Sequence, residues 1–112
     1  VTSGQKCKAQ ANIEEVAQRT VATLRRTVPS AIPGIMFLSG GQSEKLATAH
    51  LNKMNASFPN QPWKLSFSYG RALQKSALQA WQGRPENLAS AQSALLERAQ
   101  NNSMACEGKC PQ

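Results

Sequence analysis

Apolar residues along this chain follow two rhythms, one helical and one alternating. Ile13, Val16, Ala17, Val21, Leu24 and Val28 recur at helical spacing and form one apolar face. Asn12 is a good N-cap, Glu15 three positions later completes a capping box, and Pro29 stops the helix. Gly34-Ile35-Met36-Phe37-Leu38 is a short apolar run ending at Ser39-Gly40-Gly41, which fits a strand buried on both faces, as in a parallel sheet. Ser43 can cap a second helix, with Ala47, Leu51 and Met54 on one face. From Trp63 to Tyr69 the chain alternates at period two, so the large residues share one side and Lys64, Ser66 and Ser68 the other. Gly70-Arg71 ends that strand, and a third helix turns Leu73, Ala77, Ala80 and Trp81 inward before Gly83 terminates it. Pro85 restarts the chain, and Leu88, Ala91, Leu95 and Ala99 make the stripe of a fourth helix. The pattern predicts helices over 12–28, 43–55, 71–82 and 85–106, and strands over 34–38 and 63–69.

The order α-β-α-β-α-α defines an α/β fold with parallel crossovers. Two parallel strands leave unpaired edges and partly uncovered faces, so they need partners. A (β/α)8 TIM barrel runs to ~250 residues, and residues 1–112 read as one partial barrel domain of about two β/α units plus a terminal helix. The start at Val1 without Met and the end at Pro111-Gln112 without a closing element read as cut ends.

A hydrophobic content of 40% is globular rather than disordered. No apolar run approaches the ~20 residues that span a bilayer, which argues against a membrane role. The net charge of +7 raises nucleic acid, an acidic membrane or an anionic small substrate as partners. The Lys and Arg residues are scattered, however, and no DNA- or RNA-binding motif accompanies the 5% of aromatic residues, so no nucleic-acid partner is expected. Cys7, Cys106 and Cys110 form no regular framework, and no His stands near Cys106 and Cys110 to complete a zinc site, so free thiols and no metal are the reading.

Two motifs share one plan: strand, Ser39-Gly40-Gly41, helix, and then strand, Ser68-Tyr69-Gly70-Arg71, helix. A glycine-bearing turn lets backbone N–H groups approach an anion, and the following helix N-terminus adds orphan donors and partial positive charge. Ser39 and Ser68 can donate hydroxyl hydrogen bonds, and Arg71 offers a planar fork suited to phosphate. Taken singly, Gly40-Gly41 is a tight strand-to-helix turn and Arg71 a surface residue at a helix start. The matched pair is more specific, because β/α barrels commonly hold a phosphate between the loops after strands seven and eight. His50 reads as a surface or boundary residue, Trp63 and Trp81 as core, and Ser66 as interior filler. Lys64 stands at the wrong end of its strand for barrel chemistry.

Three stretches then carry a resemblance: Arg26-Thr27-Val28-Pro29, Ile32 through Glu44 around Phe37-Leu38-Ser39-Gly40-Gly41-Gln42-Ser43, and Pro62 through Gln74 around Ser66-Phe67-Ser68-Tyr69-Gly70-Arg71. They resemble class I fructose-bisphosphate aldolase, and the likeness runs from Val1 to about Lys109. The resemblance implies a (β/α)8 barrel, usually a homotetramer, that reversibly cleaves fructose 1,6-bisphosphate to dihydroxyacetone phosphate and glyceraldehyde 3-phosphate. The implied route is a lysine Schiff base without metal or cofactor. Strands seven and eight would be Ile35–Leu38 and Lys64–Tyr69, with Ser39, Gly40, Gly41, Ser68, Gly70 and Arg71 binding one substrate phosphate. The Schiff-base lysine would lie just before Val1, leaving no catalytic residue in this chain and the chain alone inactive. Cys110-Pro111-Gln112 departs from the family's tail, and Ser3 stands where the family usually has Pro. The implied compartment is the cytoplasm, with the plastid as the alternative suggested by the wording of Ile35–Leu38 and Gly83–Asn87. Two rivals stay open: a small basic helical binding module without catalytic activity, and a different sugar-phosphate barrel such as an isomerase or synthase.

Overall fold

The computed structural model describes residues 1–110. The elements run α1 (Ile13–Thr27), β1 (Gly34–Phe37), α2 (Glu44–Ser57), β2 (Lys64–Phe67), α3 (Arg71–Trp81), a 3-10 turn (Pro85–Asn87) and α4 (Leu88–Ala105). Local signals set most boundaries. Asn12 Oδ1 accepts from the Glu15 N–H at 2.8 Å and Ser43 Oγ from the Leu46 N–H at 3.1 Å, so both expected N-caps close their helices from outside. Helix α1 ends where the Val28 N–H reaches the Leu24 carbonyl, one residue before Pro29. Helix α2 runs two residues past the expected 55, because the Phe58 N–H still finds the Met54 carbonyl. The strands are shorter than expected, and the fourth helix starts with a 3-10 turn at Pro85. Of the atypical end Cys110-Pro111-Gln112, the last two residues lie outside the described residues.

β1 and β2 pair in parallel, Gly34 opposite Lys64 through Phe37 opposite Phe67. One face of this ribbon, with Ile35, Leu65, Phe37 and Phe67, packs toward the helices. Ala17, Val21, Leu51, Met54, Trp63, Leu65 and Ala105 form the main core. Each large side chain fully buried there contributes about 1.5–3 kcal/mol. The other face lies open: Met36 is 67% exposed and Leu38 74%, with Lys64 and Ser68 exposed beside them. Among the described residues the first strand is therefore covered on one face, and on the other only Ser66 of the neighbouring strand is met, by Cys106 Sγ at 3.3 Å.

Two helix faces also differ from expectation. Trp63 is core, its indole N–H donating to the Pro29 carbonyl at 2.9 Å, but Trp81 is 42% exposed at the end of α3. On α4 the predicted stripe is not the buried one: Leu88 and Leu95 stand exposed, and Arg98, Asn102 and Ala105 are buried. The reason is the neighbouring face of α2. Besides its apolar stripe of Ala47, Leu51 and Met54, α2 has a second face with Thr48 and Asn52 buried and Asn55 half-buried. Thr48 bonds Asn102 at 2.5 Å and accepts from Arg98 at 2.9 Å. Asn52 makes a reciprocal pair with the Cys110 backbone at 3.2 and 2.9 Å, and Asn55 donates to the Leu65 and Ala105 carbonyls at 3.2 and 2.9 Å. The C-terminal end of α4 is thus held by hydrogen bonds, and Arg98 and Asn102 face inward beside Ala105.

Candidate anion-binding site

The parallel register brings the C-terminal ends of both strands together. The Ser68 N–H donates to the Phe37 carbonyl at 2.8 Å, extending the ladder one residue beyond β2. Residues 38–41 and 68–71 therefore leave the same edge of the ribbon side by side, each turning into a helix.

The first turn is a β-turn closed by the Gln42 N–H on the Ser39 carbonyl at 3.0 Å. Its central residues, Gly40 and Gly41, have φ of +58° and +84°. Both angles lie in the left-handed region, where an ordinary L-residue is strained and glycine is not. An added Cβ at either position would meet no atom within 4 Å, so the glycines are required by conformation and leave open space above the turn. Ser39 is buried and its carbonyl is used twice, the second time by Gln42 Nε2 at 2.8 Å. Its hydroxyl makes no hydrogen bond among the described residues.

The second turn works differently. Gly70 sits at φ −94°, ψ −84°, so it is not needed for a left-handed bend. It precedes α3 as an N-cap with no side chain, and no side-chain bond caps this helix. Leu73 and Gln74 donate to the Gly70 carbonyl, which leaves the Arg71 and Ala72 N–H groups as the open donors of the first turn. Arg71 is exposed and forms no ion pair or hydrogen bond among the described residues, and Ser68 is exposed beside it. An uncapped helix end with a guanidinium at its first position favours an anion.

A carboxylate ties the start of α2 to α3. Glu44, first residue of α2, accepts from the Ser76 backbone N–H at 3.2 Å and from the Ser76 hydroxyl. The start of α2 is thereby tied to the middle of α3, and the two turns that hold the six predicted residues leave the same edge of the ribbon.

Sequence reasoning missed what stands behind the first turn. His50, expected at a surface or boundary, is 6% exposed, and its Nδ1 lies 2.6 Å from Gln42 Oε1. Burial holds its pKa below the ordinary 6.5, which favours the neutral ring. Gln42, His50, Gly40 and Gly41 line a cavity of about 390 Å³ together with Ser3 and Gln10 of the N-terminal segment. Beneath the second turn, Tyr69 is buried and donates its hydroxyl to the Ala47 carbonyl at 2.9 Å; burial, and then the neighbouring Cys106, push its pKa well above the usual phenol value.

The fold and its two strand–turn–helix junctions define part of a (β/α)8 barrel. The family model for class-I fructose-bisphosphate aldolase matches residues 1–112. Fructose-bisphosphate aldolase B of Gallus gallus is 58% identical over 97% of this chain and 30% of its own length. Chloroplastic fructose-bisphosphate aldolase 1 of Chlamydomonas reinhardtii is 59% identical over 97% of this chain and 28% of its own. The cytoplasmic isozyme of Spinacia oleracea is 58% identical over 97% and 30%. The solved structure of the Plasmodium falciparum aldolase, in complex with TRAP and a small-molecule inhibitor, superposes with a TM-score of 0.95 at 54% identity, covering all of this chain and 32% of that one. The chain belongs to the class-I fructose-bisphosphate aldolase family, and it spans about 30% of the length of the curated relatives it matches.

Proposed function

We propose that this chain supplies the phosphate-gripping edge of a fructose-bisphosphate aldolase that reversibly cleaves fructose 1,6-bisphosphate to dihydroxyacetone phosphate and glyceraldehyde 3-phosphate. The observation that carries this reading is the pairing of two open anion-binding turns on one ribbon edge, one with left-handed glycines and one with an uncapped helix start and an unpaired arginine. Ser39, Gly40 and Gly41 bind one phosphate from one side, and Ser68, Gly70 and Arg71 from the other. Fixing the phosphate fixes the ketose carbonyl relative to the rest of the barrel, which turns a bimolecular encounter into an oriented one.

Bond cleavage needs an amine nucleophile that condenses with the ketose carbonyl and expels water. The resulting iminium accepts the electron pair released as the carbon–carbon bond breaks. No residue of this chain is assigned that role. The Schiff-base lysine belongs to the remainder of the barrel, and residues 1–112 alone are inactive. No cofactor or metal is assigned. The whole enzyme is a homotetramer in the cytoplasm, with the plastid as the alternative. Relatives from both compartments match equally well, so identity does not decide between them.

The test is Arg71→Ala in the full-length protein. Each charge-assisted bond to phosphate contributes about 1.5–3 kcal/mol, so loss of the fork should lower kcat/KM for fructose 1,6-bisphosphate by about tenfold or more. An unphosphorylated ketose should lose little. Because Arg71 makes no ion pair or hydrogen bond among the described residues, thermal stability should hardly move. Equal losses on both substrates would refute the assignment. Borohydride reduction in the presence of substrate tests the chemistry, and absence of a covalent adduct would exclude the Schiff base.

A further inference from the structure

Resting on that reading of the glycine turn, we infer that His50 is a positioning residue for phosphate recognition, acting through Gln42. Gln42 Nε2 donates to the Ser39 carbonyl, so its Oε1 is the acceptor toward the histidine. His50 Nδ1 must therefore carry the proton, and the ring holds the Nδ1–H tautomer. The chain of bonds runs from the His50 ring through the Gln42 carboxamide to the Ser39 carbonyl, which also closes the β-turn through the Gln42 N–H. Among the described residues nothing lies within 4 Å of where a Cβ of Gly40 or Gly41 would stand, and no side-chain hydrogen bond other than that of Gln42 reaches the turn. Its two backbone N–H groups point wherever this double closure of Ser39 sets them. His50 is anchored on α2 and buried, so it transmits the rigidity of that helix to the turn.

The ring's other nitrogen supports a local constraint over a packing role. Nε2 is buried without a hydrogen-bond partner. A histidine kept only to fill space would leave a polar atom uncompensated where an apolar residue would serve. The Nδ1–H bond to Gln42 is the interaction that imidazole provides and an apolar residue cannot.

The test uses the full-length protein and compares kcat/KM for fructose 1,6-bisphosphate with that for an unphosphorylated ketose. His50→Ala should reduce the ratio about five- to tenfold, the effect of one neutral hydrogen bond. His50→Asn, whose Nδ2 can replace Nδ1 as donor, should stay within about twofold of the parent. Gln42→Met should match His50→Ala, and the double variant should be no worse than either single, because both break one chain of bonds. The inference is overturned if His50→Ala and His50→Asn behave alike, if both substrates lose equally, or if the two single losses multiply. Should His50→Ala fail to fold, Gln42→Met carries the test, and an unchanged ratio there overturns the role. Arg71→Ala separates the two levels. If it lowers the ratio while the His50 variants do not, only the histidine's role falls. If it also leaves the ratio unchanged, the phosphate reading falls with it.

Discussion

Replacing Gly41 with alanine separates what the first turn does for folding from what it does for a ligand. The residue sits at φ +84°, and an ideal Cβ there meets nothing within 4 Å. No clash adds to the cost, which is the left-handed conformation of an L-residue alone, about 1–2 kcal/mol. Gly83, in the turn after α3, is a matched control: its φ is +70°, its surroundings are equally empty, and it lies at the opposite end of the helix that Gly70 and Arg71 begin. Gly83→Ala should therefore destabilise the full-length protein by a similar 1–2 kcal/mol. Urea unfolding of the two variants should give similar shifts. Binding should separate them. A methyl group above the Gly41 backbone occupies the space where a phosphate oxygen would approach the turn. Loss of one charge-assisted bond of about 1.5–3 kcal/mol corresponds to roughly ten- to a hundredfold in affinity. Titration calorimetry with fructose 1,6-bisphosphate should show that loss for Gly41→Ala and less than about a twofold change for Gly83→Ala, whose cost is conformational only. If both variants lose stability equally and neither loses affinity, the open space above the turn holds no ligand and the glycines serve the bend alone.

Two further outcomes follow from burial and packing. Gly108→Ala should be far more costly than Gly41→Ala, because its Cβ would lie 2.7 Å from the Ala56 backbone nitrogen and its φ is +70°. Clash and strain together should cost about 2–5 kcal/mol, read by urea unfolding, and a cost equal to that of Gly83→Ala would refute the close docking of the α4 end on α2. For pH, His50 has a native pKa held below 6.5, mainly by burial. The unfolded chain then binds more protons just below that value, so stability should fall as pH drops through about 6.5 toward the native pKa and should be flat above it. His50→Asn should abolish that part of the slope.

The two capped helices, the alternation from Trp63 to Tyr69 and the paired glycine turns were legible because each is a local signal. An N-cap, a period-two pattern and a Gly-Gly bend are written in adjacent residues. The brace behind the turn was not. Gln42 and His50 are eight positions apart, and their contact exists only because α2 folds back beneath its own preceding loop. The Glu44–Ser76 link spans 32 positions and depends on the parallel register of the strands. Neither pair is marked by periodicity or charge runs.

The misread faces share one physical cause. Hydrophobic periodicity finds a helix face that meets other side chains, but Thr48, Asn52 and Asn55 of α2 pack against backbone carbonyls, a neighbouring amide and an arginine. A helix held by hydrogen bonds on one face and by apolar contacts on the other looks amphipathic with the wrong width. Its partner α4 then turns Arg98 and Asn102 inward and leaves Leu88, Leu95 and Leu96 outward. The open side of the ribbon follows the same logic at a larger scale. Met36 and Leu38 carry the composition of a buried strand, and their exposure means that their partners lie outside these 112 residues. The edge that holds the two turns escapes this dependence, because the strand register and the glycine bend that shape it are both supplied from within the chain.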